Sequence, residues 1–161
     1  MNWCTRLPSA DYPPNFVILN TMQLPIKRLH PDAKVPTYAH HNDAGMDLCT
    51  VAAVTVAPGE RVQIPTGIAV AIPDGYVGLV WDKSGLSHRV GLKTLGGVVD
   101  AGYRGEVFVG LVNTGATPHT FAVGEKVAQL LIQRVEQPEI VEVTDLDETL
   151  RGAAGFGSTG K

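Results

Sequence analysis

Four internal stretches of this chain and its last eleven residues carry side chains able to do chemistry. Residues 97–106 read Gly-Val-Val-Asp-Ala-Gly-Tyr-Arg-Gly-Glu. Two apolar residues lead into Asp100, and a glycine turn with Tyr103 follows. This is the sequence of a β-hairpin with a carboxylate at a strand end, a group able to orient and deprotonate a water. Tyr103 offers a flat face to a sugar or base. The same residues also suit an ordinary turn, since Asp and Gly favour turn backbone. Residues 82–87, Asp-Lys-Ser-Gly-Leu-Ser, follow an apolar run. Lys83, the Ser84 hydroxyl and the Gly85 amide could together hold a bridging phosphate oxygen, or form a solvated loop. In residues 124–130, Gln129 stands inside an apolar segment. An unpaired buried amide costs about 1–3 kcal/mol, so Gln129 needs a ligand or a main-chain partner. In residues 43–48, Asp47 sits beside apolar neighbours. It could cap a turn, or face a hydrated Mg2+, which takes one or two carboxylates together with phosphate oxygens and waters.

The end of the chain adds Arg151-Gly-Ala-Ala-Gly-Phe-Gly-Ser-Thr-Gly-Lys161. A Gly-rich segment with hydroxyls can wrap backbone N–H groups around phosphate. Arg151 adds a charge-assisted fork, and Phe156 a face for a base. Residues 155–161 match the start of a phosphate-binding P-loop. That loop needs a preceding strand, a hydroxyl residue after the lysine and a following helix, and with no residue after Lys161 in the sequence a P-loop is not expected here. The reading is a nucleotide-binding flap, set against a plain Gly/Ser tail.

These residues need elements to position them. A chain of 161 residues suits one domain that can bury a sizeable core. Eighteen Gly and eleven Pro favour turns over long helices. A net charge of −3 gives no general basic surface for a nucleic-acid polymer, so a phosphate ligand must be met locally. No run has the length of a membrane span, and residues 1–21 lack the apolar stretch of a secretory leader. With Cys4 and Cys49 the only cysteines, two thiols in a reducing cytoplasm are expected. His30, His40 and His41 lack a recognised metal-ligand spacing.

Residues 1–21, with three prolines, read as an N-terminal extension. Residues 22–145 read as the folded domain and 146–161 as the flap. Short strands separated by turn signals are expected at 51–56, 61–72, 76–81, 105–112, 120–123, 127–135 and 140–143. Val62, Ile64, Ile68, Val70 and Ile72 share a face by their even spacing. A brief helix can follow Ser84, and no stretch sustains a helical period. The expected fold is all-β, a jelly-roll-like sandwich or barrel of short antiparallel strands with a flexible C-terminal arm. The apolar run at 127–131 exceeds simple alternation, as if a second face met copies of the same chain.

The order of the five segments is more specific than any one of them. From about Met22 to Gly160 it resembles the five ordered motifs of the trimeric dUTP diphosphatases. The resemblance implies a β-jelly-roll subunit in a homotrimer that hydrolyses dUTP to dUMP and pyrophosphate with Mg2+. It implies sites shared between subunits, with one subunit's flap closing over its neighbours. Asp100 resembles the water-activating carboxylate. Tyr103 resembles the tyrosine that lies under the deoxyribose and rejects a 2′-hydroxyl. Gly97, Val98 and Val99 resemble the hairpin backbone that reads uracil. Lys83, Ser84, Gly85 and Gln129 resemble phosphate contacts, and Asp47 an anchor for Mg2+ through water. Phe156 would stack on uracil, while Arg151, Gly157, Ser158 and Thr159 would cover the γ-phosphate.

One position departs from the family: Lys83 stands where arginine is usual. Lysine is a point charge without the bidentate fork, so phosphate attraction survives but alignment of the leaving group loosens. Two other activities fit the same fold. A dCTP deaminase needs a glutamate near the base, for which Glu106 is the candidate. A non-catalytic nucleotide-binding regulator needs only the pocket.

Overall fold

The computed structural model describes residues 22–150 and 152–153. Arg151, Phe156, Gly157, Ser158 and Thr159, the residues assigned to the flap, lie outside the described residues, as do Cys4 and the extension 1–21. Among the described residues there are eleven strands and one helix. They are β1 (Ile26–Arg28), β2 (Met46–Cys49), β3 (Val54–Val56), β4 (Arg61–Pro65), β5 (Ile68–Val70), β6 (Tyr76–Trp81), α1 (Ser84–Val90), β7 (Leu92–Leu95), β8 (Val98–Val99), β9 (Phe108–Asn113), β10 (His119–Phe121) and β11 (Lys126–Arg134). Every strand pairing is antiparallel. The all-β jelly roll read from the sequence is the observed fold. No helix among the described residues is long and apolar enough to cross a membrane.

A four-stranded sheet in the order β2-β11-β6-β8 carries most of the candidate chemistry. A second sheet runs β4-β9-β7, and the pairs β1-β5 and β10-β3 complete the layers. Leu48, Ile64, Ile68, Leu111, Phe121 and Leu130 are among the side chains fully buried between them. β9 shows the period-two pattern plainly: Val109, Leu111 and Asn113 point inward. Asn113 is tolerated there because its amide donates to the Val56 carbonyl at 2.9 Å and the Thr117 carbonyl at 2.8 Å. Its oxygen accepts the Gly115 N–H at 2.9 Å, so no polar group is stranded.

The structure corrects several strand boundaries. The 61–72 segment divides at Thr66-Gly67, where Gly67 has φ 67°. A Cβ at Gly67 would lie 2.8 Å from both His30 and Val51, so a glycine is required on two counts. The break sends β4 to β9 and β5 to β1, which even apolar spacing cannot reveal. Only residues 54–56 of the 51–56 segment pair, and β9 begins at Phe108 rather than 105. Residues 140–143 form no strand with the other described residues, and Ile140 is 96% exposed. β1, β2 and β7 have no counterpart among the expected strands. The apolar excess at 127–131 has a local cause in part. A register shift between Lys126 and Ala128 forms a bulge, and Val127 and Ala128 are both buried.

Candidate active site

The candidate residues fall into two groups on the same four-stranded sheet, separated by β6. The first group is built on β8. Val98 and Val99 pair with Leu79 and Gly78 of β6. Gly97 has φ 96°, and its carbonyl accepts the Val80 N–H at 2.7 Å. A Cβ on Gly97 would meet the Val80 oxygen at 2.7 Å, so the hairpin can approach β6 this closely only with glycine. Asp100 follows β8 immediately and is exposed to solvent. Its carbonyl accepts the Tyr103 N–H at 3.0 Å, closing the turn expected from Asp and Gly. Asp100, Tyr103, Gly97, Val98 and Val99 line one cavity, with Glu106 and Phe108 on its wall. Val98 is 67% exposed, so the hairpin presents main chain and an apolar side chain to whatever enters.

The second group lies at the other edge of β6. Lys83, Ser84, Gly85, Leu86, Lys126 and Gln129 line a separate cavity. Ser84 and Gly85 are exposed at the start of α1, and a Cβ on Gly85 would meet nothing within 4 Å. Gln129 is opposite Trp81 in the β11-β6 ladder and opposite Asp47 in the β11-β2 ladder. Its amide donates to the Asp82 carbonyl at 2.8 Å, which fixes the point where β6 turns into α1. The partner Gln129 required is thus main chain. Gly45 makes room for it: a Cβ there would be 2.9 Å from the Gln129 carboxamide carbon. Asp82 secures the same corner, accepting the Thr94 N–H at 2.6 Å and the Lys93 ammonium at 2.5 Å. Burial acts to raise the Asp82 pKa, but the bonds from Lys93 and Thr94 outweigh it and the net shift is downward.

Behind this second cavity is Asp47, in the middle of β2 rather than at a turn, and only 7% exposed. One carboxylate oxygen pairs with the Lys83 ammonium and the other with the Lys126 ammonium, the latter at 2.5 Å. Burial again acts to raise this pKa, and the bonds and charges of Lys126 and Lys83 bring it below the usual carboxylate value. In return, the hydrogen bond and charge of Asp47 push the Lys126 pKa up. Lys126 is the functional candidate that the sequence reading passed over. It stands in the quoted 124–130 segment, but only the pairing of β11 with β2 brings it to Asp47, and that pairing is non-local.

Both oxygens of Asp47 are therefore engaged, and no group of three His, Cys, Asp or Glu converges among the described residues. The donors among the described residues do not make a magnesium cage. His40 is occupied locally, its ring nitrogen 3.2 Å from Asp43. The arrangement as a whole offers a carboxylate beside one cavity and, separately, a second cavity lined by two lysines and a hydroxyl. No residue lines both cavities.

A family model described as dUTPase matches residues 31–160 of the chain. A deoxyuridine 5′-triphosphate nucleotidohydrolase of Thermobifida fusca is 51% identical over 146 residues, covering 89% of this chain and 82% of the relative. The protein of the same name from Nocardia farcinica is 54% identical over 140 residues, with 85% of each chain covered. Among solved structures, a mutant of the dUTPase of Staphylococcus bacteriophage 80alpha with dUpNHpp superposes with a TM-score of 0.82 at 30% identity, covering 88% of this chain and all of the other. A mutant dUTPase of phage phi11 of S. aureus, described with a structural Mg(II) ion, superposes with a TM-score of 0.73 at 29% identity, covering 77% of this chain and 98% of the other.

Proposed function

The chain belongs to the dUTPase family and carries the activity of a dUTP diphosphatase, and we propose that Asp100 supplies its general base. A water held by the Asp100 carboxylate attacks the α-phosphorus in line. Its proton passes to Asp100, the bond from the α-phosphorus to the bridging oxygen breaks, and pyrophosphate leaves with that oxygen. General-base assistance of this kind contributes roughly 10²–10⁴-fold, and positioning with charge neutralisation supplies the rest. The observation that carries the reading is the shared cavity of Asp100, Tyr103 and the glycine-tightened hairpin. Its main chain at 97–99 lies on the edge strand of the sheet, where it suits uracil, and the Tyr103 ring suits a deoxyribose.

Lys83, Ser84, Gly85 and Gln129 take the phosphates, with Lys126 adding a second cation to their cavity. The two half-sites have no lining residue in common, and this supports a homotrimer in which one subunit's hairpin faces another's cup. Arg151, Phe156, Gly157, Ser158 and Thr159 close the site from a third chain. Magnesium would enter with the triphosphate and neutralise its charge, and Asp47 would anchor it through water where an ammonium group gives way. The enzyme acts on free nucleotide in the cytoplasm.

Selectivity tests the reading. Among dUTP, dCTP, dTTP and UTP, the protein releases pyrophosphate from dUTP and far less from the others. Ammonia from dCTP would instead signal a deaminase. Against that outcome, the Glu106 carboxylate already accepts the Gly67 N–H at 2.7 Å and serves the fold. Tight binding of dUTP with no pyrophosphate would signal a regulator.

A further inference from the structure

We propose that Gly105 is a specificity-determining position, because its missing side chain is what lets the main chain of Glu106 hold the Tyr103 ring in place. The inference rests on the reading that Tyr103 faces the sugar. The Tyr103 hydroxyl donates to the Glu106 carbonyl at 2.9 Å, three residues further on. To reach it, the ring folds back across Gly105. A Cβ on Gly105 would meet the Tyr103 hydroxyl oxygen, with Cζ at 2.6 Å and Cε2 at 3.0 Å. These are rigid ring atoms. They cannot bend aside and keep the bond, so any side chain at 105 forces the ring to move. Gly105 is not at a positive φ, so its requirement is space and not backbone torsion.

The rest of the loop cannot yield instead. The Tyr103 N–H is bound to the Asp100 carbonyl at 3.0 Å. The Arg104 guanidinium donates to the Ala101 carbonyl at 2.6 Å and the Tyr103 carbonyl at 2.8 Å. Glu106 is held through its carboxylate by the Gly67 N–H, and Val107 next to it donates to the Ile68 carbonyl at 2.8 Å. The carbonyl that accepts from Tyr103 is therefore fixed to the β4-β5 corner, and the ring is the movable partner. With its hydroxyl proton given to Glu106, the Tyr103 ring is held in one orientation in the cavity it shares with Asp100. A 2′-hydroxyl on the sugar would meet the carbon face of that fixed ring and be rejected by its bulk. Asp100 precedes the loop, so moving the ring leaves the base where it is.

The test compares kcat/KM for dUTP and UTP in the full-length protein. Gly105→Ala lowers the dUTP-over-UTP ratio by about tenfold or more while kcat on dUTP stays within about threefold of wild type, the split expected when a discriminating contact is lost. Tyr103→Phe keeps the ring and removes its tether, and the ratio falls several-fold. Gly102→Ala puts a methyl in the same loop where nothing lies within 4 Å, and it retains the wild-type ratio. An unchanged ratio in Gly105→Ala, or equal losses on both nucleotides, overturns the inference. Should Gly105→Ala fail to fold, a wild-type ratio in Tyr103→Phe overturns it. A wild-type protein that does not hydrolyse dUTP strikes the proposed function itself, a separate result.

Discussion

Asp47 shows how a single charge organises the phosphate side of the site. A buried carboxylate stripped of its partner is costly, and Asp47 has two partners. Lys83 can therefore turn toward a phosphate while Lys126 keeps Asp47 neutralised. Lys83→Met is expected to lower kcat/KM for dUTP by roughly tenfold to a hundredfold, the range of a charge-assisted hydrogen bond, as steady-state kinetics would read. Lys83→Arg supplies the bidentate fork and should raise kcat. A further consequence concerns pH. Asp47 and Asp82 both have folded-state pKa values below their unfolded ones. The stability they contribute is fully present above an unfolded pKa of about 3.9 and is lost as pH falls through the lower folded values. Thermal unfolding followed from pH 7 to pH 3 should show Tm dropping at the acid end. Asp47→Asn should flatten part of that drop.

At the scale of elements, β6 stands between the two groups, pairing with β8 through Val98 and Val99 and with β11 through Gln129, and β11 pairs in turn with β2 through Asp47. Leu130 on β11 is fully buried. Leu130→Ala should cost about 2–5 kcal/mol in denaturant unfolding, through lost burial and the cavity left behind. The strand type was legible from turn signals and alternation: β6, β11, the hairpin before Asp100 and the short helix after Ser84 all follow from local chemistry. Partner choice was not. Nothing in residues 61–72 says that β4 and β5 leave for different sheets, because that decision rests on the fit of Gly67 against His30 and Val51. β7 was missed because Leu92–Leu95 is short, and only Leu92 is fully buried. Residues 140–143 have strand composition but pair with none of the described strands. The motif residues were legible as a series, whereas Lys126 meets Asp47 only through the non-local pairing of β11 with β2, and the Gly105 gap follows from the direction in which the Tyr103 ring folds, which residue types alone do not specify.

For the whole molecule, the account requires that one chain's Asp100 cavity meet another chain's Lys83 cup. Mixing subunits tests this. Asp100→Asn and Lys83→Glu are each expected to be nearly inactive alone. Co-refolded in equal amounts, random assembly around a symmetric ring leaves roughly a quarter of shared sites with both groups intact, so activity returns. Sites confined to a single chain would show no recovery. The most direct measurement is the rate of pyrophosphate release from dUTP, with magnesium present, by wild type and by Asp100→Asn under identical conditions. Wild type should turn over steadily, and Asp100→Asn should bind dUTP yet release pyrophosphate at least about a hundredfold more slowly, the loss expected of a missing general base. Equal rates from the two proteins would contradict the assignment of Asp100.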